Sequence, residues 1–161
     1  MSKVNERGFT LPELLVVGLV LISLLAVSVV FLRPVSYVNQ DNDAQRRLGL
    51  AILAQGLSAY KADNGGWPDG IPDKDAPIAT EEGGVDLCKV LVPVYLHDLP
   101  LDPELGFQYT GDESDPELVG TLCNDSGVKY RTGYAVKQTS DGVLTLSAVT
   151  SKAQPLTISI R

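Results

Sequence analysis

An uncharged stretch of nineteen residues, 14–32, constrains the fold of this 161-residue chain more than any other feature. As a helix it would extend about 28 Å at roughly 1.5 Å per residue, close to the ~30 Å thickness of the hydrocarbon core of a bilayer. Glu13 stands directly before it, where an ionised carboxylate is costly unless another group pairs with it. The stretch is therefore expected to cross a membrane, and Glu13 is expected to need a cationic partner.

The residues ahead of this stretch carry a processing motif. A polar leader is followed at residues 8–13 by Gly-Phe-Thr-Leu-Pro-Glu, which resembles the processing site of type IV pilins and of type II secretion pseudopilins. The resemblance implies cleavage between Gly8 and Phe9 by a prepilin peptidase, N-methylation of Phe9, and pairing of Glu13 with the N-terminal amine of a neighbouring subunit. Pro12 departs from the expected aliphatic residue, but a missing N–H in the first helical turn costs little.

The motif divides the chain into a leader at 1–8, a transmembrane and filament-core helix at 9–33, and a remainder at 34–161. The remainder holds the amphipathic half of the helix and a globular domain. Lys3 and Arg7 favour a cytoplasmic leader, which places that domain across the membrane. The resemblance implies a single-pass inner-membrane protein that later joins a periplasmic or cell-surface filament. Its implied partners are other copies of the chain, prepilin peptidase, the inner-membrane assembly platform and the membrane.

Two other kinds of N-terminal segment share parts of this pattern. In a plain signal anchor, Glu13 would only complement the positive N-terminal end of its own helix. A secretory signal peptide fits less well, because the leader is polar and the apolar run exceeds the usual length of about 7–15 residues. No small-x-small cleavage site follows the run either.

The pattern after the apolar run predicts an α+β, pilin-like fold. Pro34 should kink or loosen the helix near residues 30–34. From about Asn39 the helix resumes with Leu50, Leu53, Ala54, Leu57 and Tyr60 on one side, and Asp63-Asn64-Gly65-Gly66 ends it. Arg46, Arg47, Gln55 and Lys61 are expected on the other side.

The last third of the chain predicts a small antiparallel sheet packed on this helix. Residues 130–139 and 143–149 alternate around a Ser-Asp-Gly turn, and residues 155–160 form a shorter edge strand. Residues 69–86 are acidic, rich in proline and glycine, and are interpreted as a surface loop. Residues 60–68 resemble the helix-to-loop junction of pilin-like proteins, and Trp67 in this segment is expected to fill the core under the following loop. Residues 91–103 resemble the segment before the sheet in these proteins, which places Tyr95, Leu96 and Leu99 in the core.

Two cysteines, Cys88 and Cys123, lie in the part expected outside the cytoplasm, where a disulfide can form. In the loop-entropy model a bridge closing this ring would stabilise the fold by roughly 4 kcal/mol. Spacing alone leaves two free thiols open as the alternative. A zinc site is not expected, because two cysteines and His97 do not make a four-ligand set.

The charge of the domain is strongly acidic. Residues 69–125 hold fourteen acidic residues against Lys74 and Lys89, within a chain of net charge −7. Such a surface repels the phosphate backbone, so no nucleic-acid partner is expected. Several relatives in the resembled families bind calcium, and oxygen ligands in loops suit that ion, although no fixed-spacing calcium loop is present. The candidate ligands are Asp98, Asp102, Asp112, Asp115, Asp125 and Asp141.

No catalytic constellation is present in the sequence, so the chain is not expected to be an enzyme. His97 stands beside Asp98, but no serine in a glycine-flanked turn accompanies them. The leading hypothesis is a structural subunit of a type IV pilus or a type II secretion pseudopilus, processed and N-methylated at Phe9. The alternatives are a monomeric membrane-anchored binding module and a minor pilin of adhesion or DNA uptake.

Overall fold

The structure, a computed structural model, describes residues 10–31, 35–112, 115–150 and 154–161. Gly8 and Phe9 of the predicted processing site, and the predicted kink at Pro34, lie outside these ranges. The contacts between Cα atoms divide the chain into two compact units, with the division between Val38 and Asn39.

Helix α1, Leu11–Phe31, makes up the described part of the first unit. Its 21 residues extend about 30 Å at roughly 1.5 Å per residue. Residues 11–28 have a mean hydropathy of 2.4 and none of them is buried. By length and composition this helix can span a membrane, as the uncharged stretch predicted.

Helix α2, Val35–Asn64, carries the apolar face of the second unit. Leu50, Leu53, Ala54 and Leu57 are buried, so the predicted stripe is confirmed. The helix begins earlier than Asn39, where the sequence placed its start. It ends where predicted, because Gly65 takes φ of +76° and donates its N–H to the carbonyl of Lys61 at 2.8 Å.

Arg46 corrects one prediction for this helix, since it was expected on the solvent side and is 1% exposed. Counting back from Leu57 through Leu53 and Leu50 in helical steps leads to position 46, so its side chain points into the domain. Arg47 and Gln55 are exposed as expected.

The described strands are β1 Ala76–Ala79, β2 Phe107–Asp112, β3 Asp115–Leu118, β4 Lys129–Gln138, β5 Leu144–Val149 and β6 Pro155–Ile160. They form one antiparallel sheet with the path β3-β2-β4-β5-β6, and β1 also pairs with β4. The hairpin of β4 and β5 and the edge strand β6 confirm the predictions, and the turn between β4 and β5 places Gly142 at φ +78°.

Strand β4 pairs with different strands along its length. Arg131 aligns with both β1 and β2, whereas Ala135 and Val136 align with both β1 and β5. Because a strand has two edges, β1 occupies one edge of β4, and β2 and β5 share the other. The sheet is therefore split between β2 and β5, next to residues 132–134 of β4.

Three of the described strands, β1, β2 and β3, lie outside the strands that the sequence predicts. Strand β1 lies inside the predicted loop 69–86, which is therefore wrong in that part; Ile78 is fully buried and Pro77 is exposed on the opposite face. Strand β3, Asp115–Leu118, pairs with β2 although its sequence is acidic. Strand β1 depends on pairing with β4, more than fifty positions later, whereas β3 pairs with β2, which precedes it directly in the chain.

The core of the second unit lies between α2 and the inner face of the sheet. The short helix α3, Cys88–Leu91, closes one side of it, and Leu99 is 3% exposed. Tyr95, Leu96 and Trp67 are partly buried against this core, as predicted. Trp67 also donates its indole N–H to the carbonyl of Gly142 at 2.9 Å, which ties the β4–β5 turn to the end of α2.

Candidate assembly site and the supporting domain

The first turn of α1 holds the carboxylate of Glu13 against its own helix end. The backbone N–H and the hydroxyl of Thr10 lie 3.4 and 3.5 Å from Oε2 of Glu13, both long for hydrogen bonds. The backbone N–H of Glu13 donates to the carbonyl of Thr10 at 3.0 Å. Thr10 and Glu13 thus occupy the positions of a capping box, and Pro12 between them needs no N–H partner.

The carboxylate of Glu13 stays exposed in this arrangement. Its contacts with Thr10 are weak and use one of its two oxygens, so a cation can still approach it. The same position lies at the end of a long apolar surface, where an unpaired charge is costly once water is removed. The geometry therefore leaves the carboxylate of Glu13 accessible, and its ionic pairing stays a prediction.

The polar groups within α1 are satisfied by the helix itself. The hydroxyls of Ser23 and Ser28 donate to the carbonyls of Val20 and Leu24, each at 2.8 Å. A hydroxyl bonded in this way can lie in an apolar environment, because it does not need a water molecule as its hydrogen-bond partner. Along residues 11–28, Glu13 is the one charged side chain.

A disulfide joins Cys88 to Cys123, as the sequence predicted, with 6.1 Å between their Cα atoms. Both residues are buried. The backbone N–H of Cys88 donates to the hydroxyl of Tyr130 at 3.1 Å, and that hydroxyl donates to Asp86 at 2.8 Å. The bridge therefore connects the start of α3 to the loop before β4, beneath which Tyr130 lies fully buried.

The side chain of Arg46 forms a buried ion cluster that the sequence interpretation did not find. Its Nε donates to Oδ2 of Asp102 at 2.7 Å and its Nη1 donates to Asp43 at 3.0 Å, while Nη2 also reaches Glu104. The hydrogen bond with Asp102 raises the pKa of Arg46 above its ordinary value. The inward helical position of Arg46 was the signal that could have revealed the cluster.

Asp102 is 1% exposed and organises the loop that fills the split in the sheet. Its Oδ1 accepts the N–H groups of Glu104 and Leu105 at 2.9 and 3.0 Å. Its own N–H donates to the carbonyl of Thr132 in the split, at 2.8 Å. Burial would raise the pKa of Asp102, but the hydrogen bonds from Arg46 and from these N–H groups hold it below its usual value.

Two glycines allow this loop to lie against β4. A Cβ on Gly106 would stand 2.5 Å from the nitrogen of Asp102 and 2.7 Å from the carbonyl oxygen of Thr132. Gly133 has φ of +81°, and a Cβ there would lie 2.5 Å from that of Asp102. Larger residues at either position would push the loop out of the split.

Asp98 ties the loop of Cys123 to the start of the sheet. Its Oδ1 accepts the N–H groups of Leu99 at 2.8 Å and Cys123 at 3.2 Å. Its Oδ2 accepts from the side-chain amide of Gln108 at 3.0 Å. This carboxylate is therefore committed to loop structure.

The structure places the predicted calcium ligands in separate local contacts. Asp102 is paired with Arg46, Asp98 bonds to the loop of Cys123, Asp125 accepts the N–H of Leu122 at 3.2 Å, and Asp141 accepts the hydroxyl of Thr139. The side chains of Asp112 and Asp115 lie outside the described part of the chain. Within that part no three His, Cys, Asp or Glu side chains come together as a metal site. Calcium binding stays a prediction.

A groove of about 510 Å³ crosses the outer face of the sheet at the split. Small residues of β4 and β5, Gly133, Ala135 and Ser147, form its floor, and Phe107 and Val149 flank it. Asp75, Glu104 and Arg131 stand at its rim, each in an ion pair within the domain. The groove is therefore mainly an apolar surface.

Comparison of the chain with known protein families, with curated proteins and with solved structures finds no match.

Proposed function

We propose that this chain is a structural subunit of a helical extracytoplasmic filament, a type IV pilus or a type II secretion pseudopilus, assembled through α1. The observation that carries the proposal is the exposed carboxylate of Glu13 at the start of a helix whose apolar residues 11–28 are unburied. That apolar surface needs lipid or other helices to cover it.

The proposed assembly pathway uses the processing motif of the sequence. A prepilin peptidase removes residues 1–8 and the new amine of Phe9 is methylated. In the filament, Glu13 of one copy pairs with the N-terminal amine of its neighbour. In a low-dielectric bundle of apolar helices this ion pair favours one axial register over the others, which gives a repeating helical array.

The disulfide is consistent with a domain outside the cytoplasm, since disulfides persist in oxidising compartments. The filament proposal requires that placement. It also assigns the peptidase and the inner-membrane assembly platform as partners of the chain.

The test replaces Glu13 in the full-length chain, expressed in its own cells. Glu13→Gln keeps an oxygen that can accept the N–H of Thr10 but removes the charge, whereas Glu13→Ala removes both. If Glu13 acts on another copy's amine, both variants should insert into the membrane and be cut after Gly8, yet form no filaments. Membrane fractionation, intact-mass measurement and electron microscopy of sheared material supply the three readouts.

A helix-capping role predicts a different pattern. Glu13→Gln would then assemble as wild type, and Glu13→Ala would show at most a partial loss, since a helix cap is worth about 0.5–2 kcal/mol. Filaments of normal number in the Glu13→Gln strain would contradict the proposed role of the charge. A mature N-terminus other than Phe9 would contradict the proposed pathway.

A second candidate, a monomeric membrane-anchored binding module, is favoured by the apolar groove of about 510 Å³. Its volume is within the range of ligand pockets, roughly 300–1,000 Å³. In this alternative α1 is only a tether, so replacing Glu13 would leave the function of the domain unchanged. The same pair of Glu13 variants separates the two candidates.

A further inference from the structure

The loop before β4 contains the pattern Asn-x-Ser at residues 124–126. The chain has five asparagines, Asn5, Asn39, Asn42, Asn64 and Asn124, and only Asn124 is followed two residues later by Ser or Thr. The intervening Asp125 is not proline, so the pattern meets the requirement of an N-glycosylation acceptor. A short pattern of this kind needs structural support before it indicates a site.

The structure places this pattern on two consecutive turns. The N–H of Asp125 donates to the carbonyl of Leu122 at 3.0 Å, and the N–H of Val128 donates to the carbonyl of Asp125 at 3.2 Å. Asn124 is therefore a central residue of the first turn and Ser126 a central residue of the second. Both residues are exposed in these turns, so an enzyme can reach them on the folded domain.

The base of this loop is fixed while its tip is exposed. Cys123 is held by the disulfide and by the hydrogen bond from its N–H to Asp98. Asn124, Asp125 and Ser126 are all exposed. A depression of about 270 Å³ opens beside Asn124 and the disulfide, which leaves space around the side chain.

The side chain of Asn124 also differs from those of Asn42 and Asn64. The amide of Asn42 donates to Glu104 at 2.9 Å, and that of Asn64 donates to the carbonyl of Tyr60 at 2.9 Å and to the hydroxyl of Tyr95 at 3.1 Å. Within the described residues, no hydrogen bond engages the amide of Asn124. A group attached to its nitrogen would break no hydrogen bond of the described residues.

From this placement we infer that Asn124 is a glycan acceptor on the exposed tip of the disulfide-anchored loop. The donor is a lipid-linked glycosyl diphosphate on the outer side of the membrane, used by a membrane glycosyltransferase. Nδ2 of Asn124 forms a bond to the anomeric carbon, the bond from that carbon to the diphosphate oxygen breaks, and the diphosphate leaves with the electron pair. The amide nitrogen loses one proton to a base of the transferase, and Ser126 supplies the hydroxyl that the transferase recognises.

This inference rests on the extracytoplasmic placement in the proposed function. The test is intact-mass measurement of the full chain isolated from its own cells, followed by fragmentation of the peptide that contains residue 124. The expected result is an added mass of at least one sugar on Asn124. The intact mass also reports the N-terminus, so a chain that begins at Phe9 but carries no sugar overturns the inference and leaves the filament proposal standing.

Three variants complete the test. Asn124→Gln and Ser126→Ala should each remove the added mass, whereas the matched control Ser126→Thr should retain it. Each variant should keep its disulfide, since none of these side chains contacts the bridge partners through a described hydrogen bond. A sugar that persists in Ser126→Ala, or one attached to Ser126 itself, would overturn the assignment to Asn124.

Discussion

Arg46 and Asp102 form a buried ion pair that joins helix α2 to the loop filling the split between β2 and β5. Nε of Arg46 donates to Oδ2 of Asp102 at 2.7 Å, and Nη2 donates to Oδ1 at 3.3 Å. Each side chain is at most 1% exposed. The pair therefore fixes the helix, the loop and the central strand β4 in one arrangement.

Removing the carboxylate of Asp102 should strongly destabilise the domain. Asp102→Ala leaves the buried guanidinium of Arg46 with fewer acceptors and leaves two loop N–H groups unpaired, so we expect a loss of about 3–5 kcal/mol in the free energy of unfolding. Urea unfolding of the purified full chain measures it. The control Lys137→Ala breaks an exposed pair with Asp75 and should cost at most about 1 kcal/mol. Equal losses in both variants would contradict the importance of the buried pair.

The same pair should make stability depend on pH in the acidic range. The pKa of Asp102 is lower in the folded chain than in the unfolded chain, where it is about 3.9. Its contribution is therefore fully present above that unfolded value and is lost as the pH falls through the lower folded value. Unfolding free energies measured from neutral pH down to below pH ~3.9 should fall less steeply in Asp102→Ala than in wild type. Parallel curves would contradict this account.

Two buried tyrosines should respond in opposite ways to loss of their hydroxyls. The hydroxyl of Tyr134 has no hydrogen-bond partner in the described part of the chain, whereas that of Tyr130 bonds to Cys88 and Asp86. Tyr134→Phe should therefore be neutral or stabilising in urea unfolding, and Tyr130→Phe should lose about 1–3 kcal/mol. A larger loss in Tyr134→Phe would show that its hydroxyl has a partner after all.

Tyr134 should also make the stability of the domain depend on pH in the alkaline range. Burial, with the negative charge of Asp102, raises its pKa to about 12, whereas an unfolded tyrosine titrates near 10. The neutral hydroxyl is thus favoured in the fold, so stability is full below pH ~10 and is lost as the pH rises through about 12. As the pH rises through this range, the free energy of unfolding should fall less in Tyr134→Phe than in wild type. Equal losses in the two proteins would contradict this cause.

The split in the sheet should be sensitive to a single methyl group. In Gly106→Ala the new Cβ would meet the backbone of Asp102 and Thr132 at 2.5 and 2.7 Å, so the loop must move, at a cost of about 1–3 kcal/mol. The control Gly120→Ala adds its methyl group where nothing lies within 4 Å. Thermal unfolding should separate the two variants. A stable Gly106→Ala would show that the loop can leave the split freely.

The features that the sequence predicted correctly have local signals. The apolar run indicates α1, Gly65 marks the end of α2, and the alternation around Gly142 indicates the β4–β5 hairpin. Strand β1 was missed because four residues containing Pro77 become a strand only by pairing with β4, more than fifty positions later. The Arg46–Asp102 pair likewise joins residues 56 positions apart, and its partner loop gives no periodic pattern.

The disulfide should contribute more to stability than any surface contact, because it acts on the unfolded chain. The bridge closes a ring with a sequence separation of 35 that contains β2 and β3. In the loop-entropy model this is worth roughly 4 kcal/mol at 25 °C. The double variant Cys88→Ala/Cys123→Ala avoids burying new polar groups. It should unfold at a lower urea concentration, with its free energy of unfolding reduced by that amount. Reductant should destabilise wild type to a similar extent and leave the double variant unchanged.

If reductant alters both proteins equally, its effect does not come from this bridge. If wild type and double variant unfold at the same urea concentration, the ring adds nothing to stability, and the fold depends on its core and the Arg46 cluster.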